Sequence, residues 1–419
     1  MISIITNYLA SPMVVLGVIV LIGLVILKRP VGDVISGVLK TMMGYLVLSA
    51  GTSIIGDPIA LLTTLVQTAV GSSERAVLPL YWAVYSESMT LFGSEAALMF
   101  VIGFVLNILL ARFTKIKYLG LTVHLQLFWT AFMACILDAA GFSGLSMILI
   151  GGIISGVYYW LATAISAHYI KPYTDEHANF VPSVVGLVVA GESARLFKKR
   201  RIETEEIEYP DWMNFLKDST LACVIAVLIM NIVFTIIAGP SVVEAVAGGS
   251  PVGLYVVTMA LTFGGGIAVI LYGVRMMLAE LIPAFSGLAE KFLPDVTLGL
   301  DYPTAFPYAG TSLMIGFVFS LLGSIVATIV MGVTGFAPVV VPGVQINFFE
   351  GGLIGVYANA KGGLLNVIFA SFICGFALQF LVAFTFPLTG AIMHTNGAYE
   401  AIDFNTIGLG LAKIFQLFK

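Results

Sequence analysis

Acidic side chains inside apolar stretches are the residues of this sequence best suited to chemistry. Asp301 lies in a short interrupted segment before a long apolar run, and Glu87 lies within Ser86–Thr90. A charge at membrane depth costs several kcal/mol, so an acid kept there indicates a functional site. We predict that Asp301 accepts a hydrogen bond from a substrate hydroxyl or removes its proton as a general base. The alternative is a helix cap that satisfies free backbone N–H groups.

An internal repeat connects the two acids. The sequence Ile-Gly-Phe-Val at 102–105 recurs at 315–318, and Glu87 precedes the first copy much as Asp301 precedes the second. Four further residues of the first half are echoed in the second: Pro172, Thr174, His177 and Asn179 correspond to Pro387, Thr389, His394 and Asn396. Two related apolar halves, each with an acid, are typical of a transporter that binds its substrate between them. Glu95 is an alternative to Glu87 as the acid of the first half.

Further polar residues complete the predicted substrate site. His124 lies in an apolar helix, where it either hydrogen-bonds substrate and shuttles a proton or is only a packing residue. Gln126 lies beside it. In the second half Gln345, Asn347 and Glu350 are candidate polar counterparts. The histidines and asparagines of the repeat either line the site or, as we favour, cap half-helices.

Composition places the chain in the membrane. The mean hydropathy is +1.04 and 10% of residues are charged, against about a quarter in soluble domains. A net charge of −4 argues against a nucleic-acid partner. Cys135, Cys223 and Cys374 lie far apart in apolar runs and are predicted to be core residues, with no metal or cofactor. No phosphate-binding loop motif is present, so ATP hydrolysis by this chain is not expected.

Apolar runs of about 20 residues predict the membrane spans. The clear candidates are 11–27, 38–56, 95–111, 118–140, 143–169, 219–239, 252–272, 310–333 and 364–390. Shorter or interrupted candidates are 78–92, 296–308, 338–358 and 404–418. The first run is predicted to be a span rather than a cleaved signal, because no basic stretch precedes it. Interrupted segments are where transporters expose backbone donors and acceptors to substrate.

Basic residues orient the two halves. Clusters at 28–40, 112–117 and 198–201 are all placed in the cytoplasm by the positive-inside rule. The first span then runs inward and the span near 219–239 runs outward, so the halves are inverted. We predict a first repeat at 1–170, a cytoplasmic or re-entrant linker at 171–218 and a second repeat at 219–419. The linker contains an apolar, re-entrant or amphipathic piece and charged stretches that are either solvated or a docking surface.

Five segments are distinctive together: Pro30–Gly51, Arg112–His124, Val274–Leu288, Leu298–Asp301 and Gly355–Gly363. In register over most of the chain, they resemble one known family, the ascorbate-type IIC permease component of the bacterial phosphotransferase system. The resemblance implies an all-α, multi-pass protein of about eleven membrane helices in the bacterial inner membrane. It also implies a homodimer, in which scaffold and substrate-binding core domains interleave across both halves. By position, the family's substrate-contacting histidine falls on His124 and its acid on Asp301.

The resemblance also implies the activity. The substrate is carried inward and phosphorylated by a phosphocysteine on a separate IIB protein, which is supplied by IIA, and this chain alone catalyses no transfer. Ascorbate-type members have glutamines where this chain has Phe128, Trp129 and Val181–Val185. Because lost amides change which hydroxyl pattern is bound, the expected substrate is L-ascorbate or a related sugar or polyol. The alternative is a secondary transporter coupled to H⁺ or Na⁺; a membrane receptor is disfavoured by the inverted halves.

Overall fold

The computed structural model describes most of the chain. The described ranges are 12–70, 81–174, 179–180, 183–197, 202–207, 215, 218–293, 295–302, 305, 308–395 and 397–417. His177, Asn396 and Pro303 lie outside these residues, and so does the side chain of His124.

Helices make up almost all of the described chain. They are α1 Pro12–Ile26, α2 Val31–Ile54, α3 Gly56–Val70, α4 Tyr81–Phe113, α5 Val123–Ala139, α6 Gly144–Thr174, α7 Val184–Phe197, α8 Ser219–Ala238, α9 Pro240–Glu244, α10 Val252–Phe292, α11 Gly310–Thr334, α12 Val344–Ile346, α13 Gly352–Gly362, α14 Leu364–Thr385 and α15 Ile402–Gln416. A π-helical turn, Asn347–Gly351, joins α12 to α13. Six helical segments within the described residues are long and apolar enough to cross a membrane. The predicted all-α, multi-pass class is confirmed.

The helices form two packing groups. Helices α1, α2, α3, α8, α9 and α10 pack on one another, and the remaining helices form a second group. Contacts between the groups are fewer and run mainly from α8 and α3 to α11 and from α1 to α5. Each group takes helices from both halves of the sequence, so the chain passes between the groups more than once.

A glycine seam holds the first group together. Gly44 of α2 meets Gly273 of α10, and Gly51 meets Gly266 one heptad away. A Cβ added to Gly273 would lie 2.4 Å from the Leu48 backbone nitrogen and 2.7 Å from the Gly44 carbonyl oxygen. Small residues let helix backbones approach closely where lipid supplies no hydrophobic drive for association.

Three short parallel strands form a sheet at the centre of the second group. The strands are β1 Tyr118–Gly120, β2 Asn179–Phe180 and β3 Thr297–Leu300, in the order β1-β3-β2. Gly299 is opposite Gly120 on one side and Asn179 on the other. The β1–β3 ladder continues beyond the strands, because Thr297 N–H donates to Lys117 C=O at 2.9 Å and Leu121 N–H donates to Gly299 C=O at 2.8 Å.

The structure refines the predicted spans. The described part of 78–92 and the run 95–111 belong to one helix, α4, which kinks at Phe92. The described part of segment 296–308 holds strand β3 rather than a helical span, and 118–140 begins as strand β1. Helix α3 was not predicted, because Gly56, Asp57 and Gln67 break up its apolar pattern.

Close packing along the glycine seam predicts different effects on stability for substitutions of two glycines of α10. Gly273→Ala introduces a methyl group against backbone atoms and should destabilise the protein by about 1–3 kcal/mol. Gly265→Ala, in the same helix with no atom within 4 Å of the added Cβ, should be neutral or stabilising by up to about 1 kcal/mol. Thermal unfolding midpoints of the purified variants in detergent test this prediction. Equal unfolding midpoints for the two variants would contradict the close backbone packing of Gly273 against α2.

Candidate functional site

The carboxyl ends of the three strands converge at one edge of the sheet. Because β1, β2 and β3 are parallel, the residues that follow them leave the sheet on the same side. Thr122 follows β1 at the start of α5, Asp301 follows β3, and Ser183 precedes the first turn of α7 after β2. We call Thr122, Ser183 and Asp301 the sheet-edge site.

Asp301 is the acid of this site. Its side chain is buried, with 5% of the residue surface exposed, and its Oδ1 accepts a hydrogen bond from Tyr302 N–H at 2.8 Å. Tyr302 is also buried, and its ring lies 6.2 Å from that of Phe349 in the π-helical turn. This arrangement places the predicted acid inside the protein, beside a segment of irregular backbone. Carboxylate oxygens there are acceptors suited to the hydroxyl groups of a sugar or polyol.

Two hydroxyl groups lie at the same edge without a protein partner. Thr122 and Ser183 are each 1% exposed, and neither side-chain oxygen has a hydrogen-bond partner in the described structure. Thr122 occupies the N-cap of α5, yet its side chain does not cap the helix, although threonine often does so. Since buried polar groups are nearly always hydrogen-bonded, two unpaired hydroxyls at one edge indicate a place for a polar ligand.

Side-chain hydrogen bonds hold β1 in position. Gln126 Nε2 and Asn107 Nδ2 both donate to the Gly120 carbonyl oxygen, at 2.9 and 3.0 Å. Gly120 also packs closely against Thr163 and Tyr159 of α6. Hydrogen bonds from α4 and α5 therefore hold the end of β1 that precedes Thr122.

Strand β2 is held through the amide of Asn179. This amide donates to Thr163 C=O and Ser166 Oγ and accepts from Tyr357 O–H at 2.8 Å. Asn179 is thus engaged with three protein partners, which leaves its side chain a structural role in this arrangement.

An aromatic cluster packs beside the site. Trp129 of α5 stacks on Tyr158 at 4.4 Å and meets Phe404 of α15 edge-on at 5.2 Å. Phe128 packs edge-on against Tyr85 at 4.3 Å. Phe128 and Trp129 are both fully buried.

The structure places the other predicted site residues as follows. His124 is the second residue of α5, two positions after Thr122. Asn347 accepts hydrogen bonds from Ser320 and Ser324 and donates to Gly343 C=O at 2.8 Å. Gln345 is partly exposed on α12. Asn347 thus links α11 to the π-helical turn.

Glu87 belongs to a different polar cluster. Its Oε1 lies 3.6 Å from His394 Nε2, and both side chains are partly exposed. The next residue, Ser88, accepts a hydrogen bond from Tyr399 O–H at 3.0 Å. Glu95 is partly buried beyond the kink at Phe92. The first-half acid therefore meets residues of the second half, in contact with the repeated histidine.

Sequence reasoning missed several residues of the site region. Thr122 and Ser183 carry no distinctive pattern, because hydroxyls are common in apolar helices. The buried acids Glu400 and Asp403 were also missed, although two acids immediately before an apolar helix are a detectable signal. Glu350 was considered, and the structure buries it with both carboxylate oxygens near Ile402 N–H, at 3.1 Å.

These features define a class of protein: a multi-pass membrane protein with buried polar groups enclosed by helices. The sequence profile of the PTS system sugar-specific permease component family (EIIC-GAT) matches residues 7–402. The chain belongs to this family and is therefore a membrane component of a phosphotransferase system. It is also similar to a protein of Mycoplasma pneumoniae (strain ATCC 29342 / M129 / Subtype 1) named "Ascorbate-specific PTS system EIIC component". The two are 24% identical over 449 aligned positions, covering 94% of this chain and 67% of the relative.

The two unpaired hydroxyls predict a separation of substrate affinity from stability. Ser183→Ala and Thr122→Ala remove groups with no protein partner, so the thermal unfolding midpoint should change little. If each hydroxyl bonds substrate, each variant should raise KM for uptake about 3–10-fold, corresponding to one lost hydrogen bond.

Thr328→Ala is the matched control for these variants. Ser320 is not used, because it bonds Asn347, which is itself a candidate substrate residue. The Thr328 hydroxyl donates to Val340 C=O at 2.6 Å, so its loss should lower stability with KM unchanged. Unchanged KM in both Ser183→Ala and Thr122→Ala would contradict a ligand at the sheet edge.

Proposed function

We propose that this protein carries L-ascorbate or a related sugar or polyol inward across the bacterial cytoplasmic membrane. In this proposal a separate IIB protein, supplied by IIA, phosphorylates the substrate at the cytoplasmic side. The observation that carries the proposal is the sheet-edge site, in which a buried acid and two unpaired hydroxyls lie inside a member of a sugar-permease family. Such a site suits a small molecule with several hydroxyl groups, because each hydroxyl both donates and accepts.

Asp301 has the central chemical role in this proposal. Its carboxylate accepts a substrate hydroxyl and increases the nucleophilicity of that oxygen, or removes its proton, when the phosphoryl donor arrives. Thr122 and Ser183 bind further hydroxyls. We propose that His124 and Gln126 flank this substrate from the first turns of α5, and that Glu87, Gln345 and Asn347 contribute in other states of the transport cycle.

We propose that the two Ile-Gly-Phe-Val copies belong to inverted repeats around the sheet-edge site. Helix α4, which contains the first copy, ends shortly before β1, whereas α11, with the second copy, begins shortly after β3. Because β1 and β3 are paired, both copies adjoin the same sheet along the chain.

The two packing groups support the proposed division into scaffold and core domains. The group with the glycine seam is proposed as the scaffold, through which the protein forms a homodimer. The group with the sheet-edge site is proposed as the core that carries substrate. Sparse contacts between the groups favour movement of one against the other, as alternating access requires.

Two observations bear on which substrate is carried: the name of a similar protein and the side chains near the site. The similar Mycoplasma protein is named ascorbate-specific, at 24% identity. In this chain the apolar Phe128 and Trp129 are buried in an aromatic cluster near the site. A site with fewer amide groups binds a different hydroxyl pattern, so we include neutral sugars and polyols beside L-ascorbate.

Neutralising Asp301 should weaken substrate binding. Asp301→Asn replaces a charged acceptor, and the loss of one such hydrogen bond corresponds to about a 10–100-fold rise in Kd. Equilibrium binding of radiolabelled substrate to the purified protein measures this change. Asp295→Asn is the matched control, because Asp295 is exposed and lies six positions earlier in the chain. Wild-type affinity in Asp301→Asn would make Asp301 a structural cap.

Uptake by membrane vesicles tests the transport reaction itself. Vesicles containing the full-length protein are supplied with L-ascorbate or a panel of pentoses, hexoses and hexitols, with and without phosphorylated IIB inside. We expect accumulation of phosphorylated product only with phosphorylated IIB. Accumulation of unmodified substrate driven by a pH or sodium gradient alone would favour an ion-coupled secondary transporter and contradict the proposal.

A further inference from the structure

The buried carboxylate of Asp403 occupies the N-terminus of α7, next to the sheet-edge site. Its Oδ2 accepts from Val184 N–H at 2.7 Å and its Oδ1 accepts from Val185 N–H at 2.9 Å. Tyr158 O–H also donates to Oδ2. Asp403 is 219 positions away from the helix that it caps.

The two N–H groups that bond Asp403 lie at the start of α7. Ser183 has a left-handed backbone, with φ of 82°, and is followed by the helical Val184 and Val185. Successive N–H groups that converge in this way, together with the positive end of a helix, make a binding place for an anion. In this protein the anion is a side chain of the chain itself.

We infer that Asp403 is a positioning residue for substrate binding, acting through Ser183. The inference rests on the proposed function of the sheet-edge site. Asp403 accepts from the N–H of Val184, the amide that is bonded to the Ser183 carbonyl carbon, and the Ser183 hydroxyl has no hydrogen-bond partner among the described residues. Since serine rarely adopts a left-handed conformation, the hydrogen bonds to Asp403 fix the direction in which Ser183 presents its hydroxyl.

A second buried acid holds Asp403 in place. Glu350 of the π-helical turn accepts from Ile402 N–H through both carboxylate oxygens, at 3.1 Å each. Ile402 begins α15, so Glu350 fixes the turn that carries Asp403. Glu350 thus connects the π-helical turn to α15, and Asp403 connects α15 to the start of α7. Two sets of hydrogen bonds therefore link the π-helical turn to the segment that carries Ser183.

The inference predicts a specific change in uptake kinetics. Asp403→Ala frees the peptide bond between Ser183 and Val184, so we expect KM for uptake of L-ascorbate, or of the panel member transported fastest, to rise about 3–10-fold, the range expected for Ser183→Ala. The maximal rate per folded protein should change less than 3-fold. Asp218→Ala is the matched control, because Asp218 caps α8 through Thr220 N–H and Leu221 N–H in the other packing group. Its KM should stay within 2-fold of wild type.

A double-mutant cycle separates positioning from a general loss of structure. If Asp403 acts through Ser183, Asp403→Ala combined with Ser183→Ala should raise KM no more than Asp403→Ala alone. Combined with Thr122→Ala, the two effects should multiply. Multiplicative effects with Ser183→Ala, or an Asp403→Ala variant with wild-type KM, would overturn the inference. Wild-type KM in Ser183→Ala and wild-type affinity in Asp301→Asn would instead count against the sheet-edge site itself.

Tyr158→Phe provides the same test if Asp403→Ala does not yield folded protein. It removes one donor to the carboxylate and keeps the ring that stacks on Trp129. We expect a 2–4-fold rise in KM that is absent in combination with Ser183→Ala. An unchanged KM in Tyr158→Phe would then count against the inference.

Discussion

Pairing of three short parallel strands is the interaction on which the rest of the site depends. Backbone N–H and C=O groups at membrane depth must be satisfied within the protein, and non-helical segments are therefore costly there. Strand β3 meets this requirement by bonding β1 and β2, which come from the other half of the chain. The same pairing brings Thr122, Ser183 and Asp301 to one edge. Within the described sheet, β3 is the strand that pairs with both β1 and β2.

Side-chain hydrogen bonds hold the sheet in place, whereas close helix packing holds the other packing group together. Asn107, Gln126 and Asn179 fix the outer strands through side-chain amides, and Asp403 fixes the turn after β2. The glycine seam between α2 and α10 instead stiffens the other packing group. Rigid packing on one side and hydrogen-bonded irregular backbone on the other match the proposed scaffold and substrate-carrying core. The polar groups of the core thus act as connectors between segments as well as candidate ligands.

The sequence was informative where a physical signal is strong and local. Continuous apolar runs predict membrane helices, and an acid in an interrupted apolar segment, Asp301, is conspicuous because burial of its charge is costly. The strands could not be predicted, because two to four residues are too few to show a periodicity. Thr122 and Ser183 become notable only because their side-chain hydroxyls have no hydrogen-bond partner in the part of the chain that the structure describes. The partner of Asp403 lies more than 200 positions away, a separation that no local pattern encodes.

We propose that substrate binds at the carboxyl edge of the three-stranded sheet. An electron cryo-microscopy structure of the protein with bound L-ascorbate, or with the transported panel member, tests this binding position. We expect ligand density within hydrogen-bonding distance of the Asp301 carboxylate and of the Thr122 or Ser183 hydroxyl. Density confined to the cluster of Glu87 and His394, with the sheet edge occupied only by protein, would contradict it.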